Sequence, residues 1–250
     1  MTNQLDPQLK LIKELIEFPT VSRDSNLELI NFISHYLKSY GIESKLIHSD
    51  CGNKANLVAT IGPNIGGGIV LSGHTDVVPV DGQDWHSDPF RLDHRDGRLY
   101  GRGTSDMKSF CAIALSLIPE MQGLKQPIHL ALSYDEEVGC LGTKSLIKLI
   151  KEKIPEPLGV IVGEPTEMRI VTAHKGITHF LTTVTGYEAH SSQQHRGVPA
   201  IMYAGRIINW LAERQSKNAD LEDKKSGFEP GYTTLHCGLI KGGTAANICA

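Results

Sequence analysis

The stretch IVLSGHTDVVP, residues 69–79, joins a short apolar run to a histidine and an aspartate. Residues 69–73 are apolar or small, which predicts a strand buried inside a sheet. His74 follows this strand directly, and Asp76, two residues later, faces the same way and can hold the imidazole ring and its tautomer. Ligands bind outside the carboxyl ends of strands in open α/β sheets, so this order indicates a functional strand end.

Helical and strand-like patterns alternate on both sides of this strand. Asp6 is predicted to cap a first helix that begins at Pro7. Ser25 and Glu28 stand in capping-box spacing and predict the start of a second helix, which ends at Gly41. The remaining predicted elements are strands at residues 43–47, 56–61, 128–133 and 160–162 and helices at residues 109–117 and 143–150. This alternation predicts an α/β fold in which helices flank a central, mostly parallel sheet.

The character of the sequence changes after residue 175. A segment rich in threonine and valine at residues 177–185 predicts a strand, residues 199–212 predict a helix, and residues 233–239 predict a further strand. We therefore expect one domain in residues 1–175 and part of an α+β domain in residues 176–250.

Composition and charge disfavour several classes of function. The chain carries a formal net charge of -3 and has a pI near 6.4, so it lacks the basic field that binds nucleic acid or an anionic membrane surface. The N-terminal segment is polar and no apolar run approaches the ~18 residues of a membrane span, so we expect a cytoplasmic protein. The cysteines are scattered and never form C-x-x-C, which disfavours a disulfide framework and a thiolate zinc site.

Acidic residues follow two further predicted strands. Glu136 and Glu137 come after the strand at residues 128–133, and Glu164 follows the strand at residues 160–162. Neighbouring side chains in an extended chain point in different directions. One glutamate can therefore bind a cation while its neighbour stays free for proton transfer.

Each of these groups has a simpler interpretation when it is taken alone. A histidine and an aspartate two residues apart occur in ordinary polar loops, and paired glutamates at a strand end are common surface charges. Asp106, in the glycine-rich stretch GRGTSDMK at residues 101–108, is explained equally well by helix capping. Together, however, one histidine and several carboxylates at successive strand ends match the nitrogen and oxygen ligands of a two-metal hydrolytic site.

Five segments resemble, in order and spacing, the motifs of the zinc aminoacylase and carboxypeptidase family, which includes acetylornithine deacetylases, succinyl-diaminopimelate desuccinylases and glutamate-releasing carboxypeptidases. They lie at residues 72–79, 85–90, 101–108, 135–139 and 163–166. The resemblance implies a metal-binding catalytic domain with the zinc-hydrolase fold in residues 1–175. It also implies that residues 176–250 are part of a lid and dimerisation domain, through which the protein forms a homodimer.

Carried over by position, the resemblance implies two zinc ions, with cobalt as a substitute metal. His74, Asp106 and Glu164 match the ligands of one zinc ion. Asp106 also matches the bridge to a second zinc ion, which Glu137 helps to hold. Members of the family continue past the position of Ala250, and the resemblance places the second zinc's histidine and a substrate-binding arginine in that stretch.

The same resemblance assigns the reacting and substrate-binding groups. Glu136 matches the general base, and Asp76 matches the acid that steadies the zinc-bound histidine. His190, in the stretch at residues 186–192, matches a histidine that reaches the partner subunit's site and stabilises the oxyanion. Asn247 matches an asparagine that contacts the substrate. For His190 and Asn247, an ordinary place in a turn is the alternative.

Three stretches, at residues 137–140, at residues 173–176 and at residues 190–192 followed by 196–198, most resemble the acetylornithine deacetylase branch of the family. We therefore expect hydrolysis of a small-molecule N-acyl amino acid, N-acetyl-L-ornithine, to L-ornithine and acetate in arginine biosynthesis. The alternatives within the family are a succinyl-diaminopimelate desuccinylase and a carboxypeptidase. A further alternative is an inactive member that serves as a binding or dimerisation module, because the matched motifs offer no histidine for the second zinc.

Overall fold

The computed structural model describes residues 6–249. Contacts between Cα atoms divide the chain into two compact units, with the division between Arg169 and Ile170. The first unit holds a five-stranded sheet with helices around it. The second unit holds one long helix and a short pair of strands. The assignment of catalytic and lid functions to residues 1–175 and 176–250 stays a prediction.

The first helix, α1, spans Pro7–Ile16. The side chain of Asp6 accepts a hydrogen bond from the Gln8 amide at 3.0 Å, so the predicted cap is confirmed. Proline is well suited to the first turn because its missing N–H would have no partner inside the helix. The buried face of α1 consists of Leu11, Ile12, Leu15 and Ile16.

The second helix, α2, spans Leu27–Ser39 and starts differently from the prediction. The capping box of Ser25 and Glu28 is wrong, because Asn26 is the N-cap residue. The buried Asn26 amide group donates to the Ala55 carbonyl at 2.8 Å and accepts from the Ala55 amide at 2.9 Å. A contact with a distant strand therefore fixes the start of this helix, and the Ser25 hydroxyl accepts from the Leu27 amide at 3.2 Å.

The sheet of the first unit has five strands, and four of them point the same way. The strands of the first unit, inside and outside this sheet, are β1 Ser44–His48, β2 Ala55–Ile61, β3 Ile69–His74, β4 Asp93–Arg95, β5 Arg98–Tyr100, β6 Ile128–Ser133 and β7 Gly159–Val162. Five of them form one sheet in the order β1-β2-β6-β3-β7, and β4 and β5 form a separate hairpin. Only β2 runs against its neighbours, so β3, β6 and β7 are parallel. The predicted α/β class with a mostly parallel central sheet is confirmed.

Helices cover both faces of this sheet. The third helix, α3, spans Lys108–Ser116, and the fourth, α4, spans Thr143–Lys153. On one face α1, α2 and α3 form the main core with strand residues such as Leu57. The next residue, Val58, points to the opposite face and packs in a smaller cluster with Leu146 of α4. The alternation of neighbouring strand residues between two apolar layers explains why these strands are hydrophobic throughout.

The second unit is organised around α5, which spans Ala200–Ala219. This helix confirms the prediction for residues 199–212 and extends it by about two turns. Two short strands, β8 Ala189–His190 and β9 Ile248–Cys249, pair in the antiparallel sense. Across residues 6–249, no helix combines the length and apolar character needed to cross a membrane.

The longer strands predicted for this unit, at residues 177–185 and 233–239, are wrong. These residues have no regular secondary structure, and Phe180 and Leu181 are 86% and 96% exposed. A helix satisfies its hydrogen bonds within itself, whereas a strand needs a neighbouring strand. Neither segment pairs with another strand in the part of the chain that the structure describes, so side-chain propensity alone does not produce a ladder.

Candidate metal centre

Parallel pairing places the carboxyl ends of β3, β6 and β7 at one edge of the sheet. His74 is the last residue of β3, and Glu136 and Glu164 follow the ends of β6 and β7. His74 Nε2 lies 3.8 Å from Glu164 Oε1 and 4.0 Å from Glu136 Oε2. The structure thus brings together the side chains that the sequence places at successive strand ends.

Asp106 completes a group of three side chains that could hold a metal ion. Its Oδ1 lies 2.9 Å from His74 Nε2. One ligand atom from each of His74, Asp106 and Glu164 lies within 4.8 Å of the other two. The N-cap of α3 is Met107, and no side chain caps that helix. Helix capping therefore does not account for Asp106.

A glycine allows α3 to approach β3 closely. A Cβ atom at Gly73 would lie 3.0 Å from Cys111 Sγ and 3.1 Å from Met107 Cε, which is shorter than ordinary van der Waals contact. A larger residue would push the start of α3 away from the strand. Since Asp106 immediately precedes that start, Gly73 helps to bring its carboxylate to His74.

Asp76 holds His74 mainly through its backbone. His74 Nδ1 lies 2.9 Å from the carbonyl oxygen of Asp76 and 3.6 Å from the nearer carboxylate oxygen, Oδ1. The Nδ1–H group donates to this carbonyl, and Nε2 then faces Asp106 and Glu164. The structure therefore places Asp76 beside the ring, with the carbonyl as the nearer acceptor.

The carboxylate of Asp76 anchors the turn that follows β6. It accepts hydrogen bonds from the Glu136 amide at 3.0 Å and from the Glu137 amide at 3.3 Å. Burial alone would raise the pKa of Asp76, but hydrogen bonds from Ser22 and the Glu136 amide, together with the nearby His74 imidazole, outweigh burial and lower that pKa. Asp76 therefore stays charged inside the protein.

The charges of the centre shift one another's pKa values. Burial alone would lower the pKa of His74, but the hydrogen bond and charge of Asp76 and the charge of Glu164 raise that pKa to about 9. Burial raises the pKa of Glu137, and the charge of Asp106 adds to the shift. Burial raises the pKa of Glu164. The charge of His74 opposes this shift, whereas the charge of Asp106 adds to it. A divalent cation would relieve this repulsion among carboxylates.

The three ligands fit zinc. Imidazole nitrogen and carboxylate oxygen are both zinc ligands, and a catalytic zinc site combines three protein ligands with a water molecule. Ligand atoms around a tetrahedral zinc ion lie roughly 3.3 Å apart at the usual bond lengths. The distances from His74 Nε2 to Asp106 and Glu164, 2.9 and 3.8 Å, lie on either side of that value. The side chain of His74 is 1% exposed, whereas those of Asp106 and Glu164 are 47% and 37% exposed, which leaves an opening for water and substrate.

Glu137 lies near Asp106. Both residues line a cavity of about 230 Å³, whose remaining walls are Val78 and residues 101–105. Among residues 6–249, the group around His74 is the one set of three ligands found. The structure therefore supplies two carboxylates for a second metal, without a second imidazole beside them.

His190 and Asn247 lie close to each other in the second unit. His190 is part of β8, and the Ser191 amide donates to the Asn247 carbonyl at 2.9 Å. His190 is exposed, and its Nδ1 accepts from the Ser192 amide at 3.2 Å. The structure brings these two residues together, and their catalytic and substrate-binding functions stay predictions.

Ser22 contacts Asp76 although no motif indicates it. Its hydroxyl donates to Asp76 Oδ2 at 2.7 Å across 54 positions of sequence. No local spacing connects residues so far apart, and a serine between two helices is by itself typical of a turn.

Solved structures share this fold. A tripeptidase from Staphylococcus aureus subsp. aureus Mu50 matches with a TM-score of 0.57 at 21% identity, over 97% of this chain and 62% of that chain. An M20 family metallo-carboxypeptidase from Sulfolobus solfataricus matches with a TM-score of 0.55 at 23% identity, over 64% of this chain and 37% of that chain.

Curated sequences are more similar. Acetylornithine deacetylase of Pasteurella multocida (strain Pm70) is 34% identical over 254 residues, which cover 97% of this chain and 65% of that protein. Acetylornithine deacetylase of Myxococcus xanthus is 37% identical over 253 residues, which cover 99% of this chain and 65% of that protein. The chain thus spans about two thirds of the length of these relatives. Residues 70–236 match the description of peptidase family M20/M25/M40, and the chain therefore belongs to that family.

Proposed function

We propose that this protein hydrolyses the amide bond of an N-acyl amino acid at a zinc centre, with N-acetyl-L-ornithine as its substrate. The observation that carries the proposal is the placement of His74, Asp106 and Glu164 as a three-ligand group beside Glu136. The products are L-ornithine and acetate, in a step of arginine biosynthesis. Three curated acetylornithine deacetylases at 34%, 35% and 37% identity support the choice of substrate.

In this proposal His74, Asp106 and Glu164 hold one zinc ion, and Asp106 and Glu137 contribute to a second. Zinc, when bound, polarises the amide carbonyl and lowers the pKa of water, which is the chemistry that hydrolysis at neutral pH requires. Nitrogen and oxygen ligands also suit cobalt, which we expect to substitute for zinc.

Glu136 carries the proton. Its Oε2 lies 4.0 Å from His74 Nε2 and its side chain is 36% exposed, so it can reach a water molecule or a substrate in the opening. It accepts a proton as the water oxygen bonds to the carbonyl carbon. It then delivers that proton to the amine nitrogen as the C–N bond breaks. Water thereby supplies the hydroxyl group of the acid and one hydrogen of the released amine.

The second unit contributes to catalysis through a homodimer in the same proposal. His190 of one subunit donates to the oxyanion in the other subunit's site, and Asn247 contacts the substrate. The resemblance of residues 186–192 to the family's histidine segment supports this arrangement, and the exposure of His190 is compatible with it.

Two single variants test the shared site. Glu136→Ala and His190→Ala should each have very low activity as pure dimers. A mixed dimer contains one site with an intact Glu136 and the other subunit's intact His190, so exchange of subunits should restore part of the activity. Light scattering checks that the samples are dimers. No gain of activity in verified mixed dimers would reject the shared site.

Relative rates on three substrates test the reaction. We expect the highest kcat/KM for N-acetyl-L-ornithine, compared with N-succinyl-L,L-diaminopimelate and a dipeptide that ends in glutamate. A preference for the succinyl compound would identify a desuccinylase, and a preference for the dipeptide would identify a carboxypeptidase. Hydrolysis of none of the three by zinc-loaded protein would support the binding or dimerisation module.

A further inference from the structure

A closed ring of contacts connects Asp76 with the turn that carries Glu136. The Ser22 hydroxyl donates to Asp76 Oδ2 at 2.7 Å, and Asp76 Oδ1 accepts from the Glu136 amide at 3.0 Å. The Lys54 ammonium donates to the Ser22 carbonyl at 2.5 Å and to Asp135 Oδ1 at 2.5 Å. Since Asp135 is bonded to Glu136 along the chain, the ring is complete. It joins the loop after α1, the start of β2 and the ends of β3 and β6.

The backbone at Asp135 needs such support. Its φ angle is +55°, in the left-handed region that residues other than glycine adopt rarely. This conformation turns the chain two residues past the end of β6, and the next residue, Glu136, places its carboxylate 4.0 Å from His74 Nε2. Lys54 holds the Asp135 side chain, and the Leu141 amide donates to the Asp135 carbonyl at 3.0 Å. The direction of the Glu136 side chain therefore depends on contacts that lie outside the metal centre.

The ring is shielded from solvent. The side chains of Lys54 and Asp135 are 12% and 10% exposed, and Ser22 is 6% exposed. Separating a buried ion pair leaves a charge without compensation, so this pair resists local opening far more than an exposed pair does.

We propose that Ser22 and Lys54 are positioning residues for Glu136. Both residues hold the turn at residues 135–137 in place. Ser22 acts on it through the Asp76 carboxylate, and Lys54 acts on it through the side chain of Asp135. Neither side chain contacts His74, Asp106 or Glu164 in the structure. The effect on catalysis rests on the function proposed for Glu136, whereas the effect on the turn does not.

Substitutions at Ser22 test the hydroxyl contact. Ser22→Ala should lower kcat of the zinc-loaded protein about 10-fold to 100-fold, the usual range for groups that orient a metal site, with KM and zinc content unchanged. Ser22→Thr keeps a hydroxyl and should restore most of kcat. Ser25→Ala is the matched control, because the Ser25 hydroxyl in the same loop donates to the Asn53 carbonyl and accepts from the Leu27 amide, and does not contact the ring. Wild-type kcat in Ser22→Ala would overturn the proposal for Ser22.

Substitutions at Lys54 test the ion pair. Lys54→Met should also lower kcat, but it leaves Asp135 buried without a partner and can destabilise the fold. The double variant Lys54→Met/Asp135→Asn removes that unpaired charge. If the double variant has the wild-type Tm but a low kcat, Lys54 has a positioning function. If both Tm and kcat return to wild-type values, Lys54 is merely structural and the proposal for it is overturned.

Amide hydrogen exchange gives a readout that does not depend on activity. In the zinc-loaded protein, the Glu136 amide should exchange faster in Ser22→Ala and in the Lys54 double variant than in the wild type or Ser25→Ala. If the wild type hydrolyses none of the three substrates, the proposed function fails and this exchange still decides whether the ring holds the turn. Unchanged exchange in both variants, with or without a loss of kcat, would overturn the proposal.

Discussion

Two sets of groups near Asp106, a strand side and a loop side, are built from different kinds of structure. On the strand side, His74 ends β3 and Glu164 follows the adjacent parallel strand β7, and the His74 ring is buried against the Asp76 carbonyl. On the loop side, Glu137 shares a cavity with the turn at residues 101–105. Backbone pairing therefore fixes the ligands of the strand side, while those of the loop side depend on turns.

This difference leads us to expect unequal metal binding. An imidazole with two carboxylates resembles an ordinary catalytic zinc site. Two carboxylates without an imidazole form a weaker site that discriminates less between zinc and oxygen-preferring cations. Ligands that are held in place before the metal arrives also lose less freedom on binding.

The largest expected effect is on zinc retention. After dialysis we expect close to one tightly held zinc ion per chain, supplied by the strand side. His74→Ala should abolish it, whereas Glu137→Ala should keep it, because Glu137 belongs to the loop side. Elemental analysis of the dialysed proteins measures this. Two tightly held ions in the wild type would mean that another residue completes the loop side, and none would favour the binding module.

The second effect separates proton transfer from metal binding at two neighbouring residues. Glu136→Ala should keep its zinc and lose ~10²-fold or more of kcat, the usual scale for a general acid-base group. Glu137→Ala should lose activity through weaker binding at the loop side, so added zinc should restore part of it. Loss of the tightly held zinc in Glu136→Ala would show that the two glutamates have the opposite functions.

The third effect is the pH dependence of zinc affinity. In the metal-free protein the pKa of His74 is about 9, so below that pH zinc must displace a proton from the imidazole. Affinity at the strand side should rise about tenfold per pH unit from neutral pH and level off above pH 9. The loop side has no imidazole proton to release and should respond less. Calorimetry in buffers of different ionisation enthalpy counts the protons, and zinc binding without proton release near neutral pH would contradict a protonated His74.

The smallest effect concerns His129, a buried histidine outside the centre. Its pKa is shifted downwards, whereas that of His74 is shifted upwards. It is 0% exposed, its Nδ1 lies 2.9 Å from Thr60 Oγ1, and its Nε2 has no hydrogen-bond partner among the described residues. Burial lowers the pKa of His129 from its ordinary 6.5, so the unfolded chain takes up a proton at a higher pH than the folded protein does. Stability should fall as the pH drops below about 6.5.

His129→Leu should reduce this loss of Tm in acid and leave zinc binding by His74 unchanged. Thermal unfolding of both proteins over a range of pH measures the difference. An equal loss of Tm in the variant would show that His129 does not contribute to it.

The sequence predicts the strand-end residues because each lies within a few positions of an apolar run. His74, Glu136 and Glu164 are of this kind, and parallel pairing alone brings them to one edge. Asp106 is harder to predict, because its contact with His74 depends on how closely α3 approaches β3 at Gly73. From sequence alone, helix capping explains it equally well.

Contacts between distant segments could not be predicted from local patterns. Lys54 reaches Ser22 across 32 positions and Asp135 across 81 positions. The same limitation explains the errors, since Asn26 begins α2 through its contacts with Ala55 and residues 177–185 form no strand without a neighbour. Propensity describes one residue and its neighbours along the chain, whereas these features depend on partners brought near by folding.

The parallel pairing of β3 and β7 has a consequence for how this protein can change over evolution. Hydrogen-bonded strands lie about 4.8 Å apart whatever side chains they carry. His74 and the segment that leads to Glu164 start from two such neighbours, so their separation follows from backbone geometry. Loops around the centre can therefore diverge and reshape its opening while the separation of these two residues stays the same.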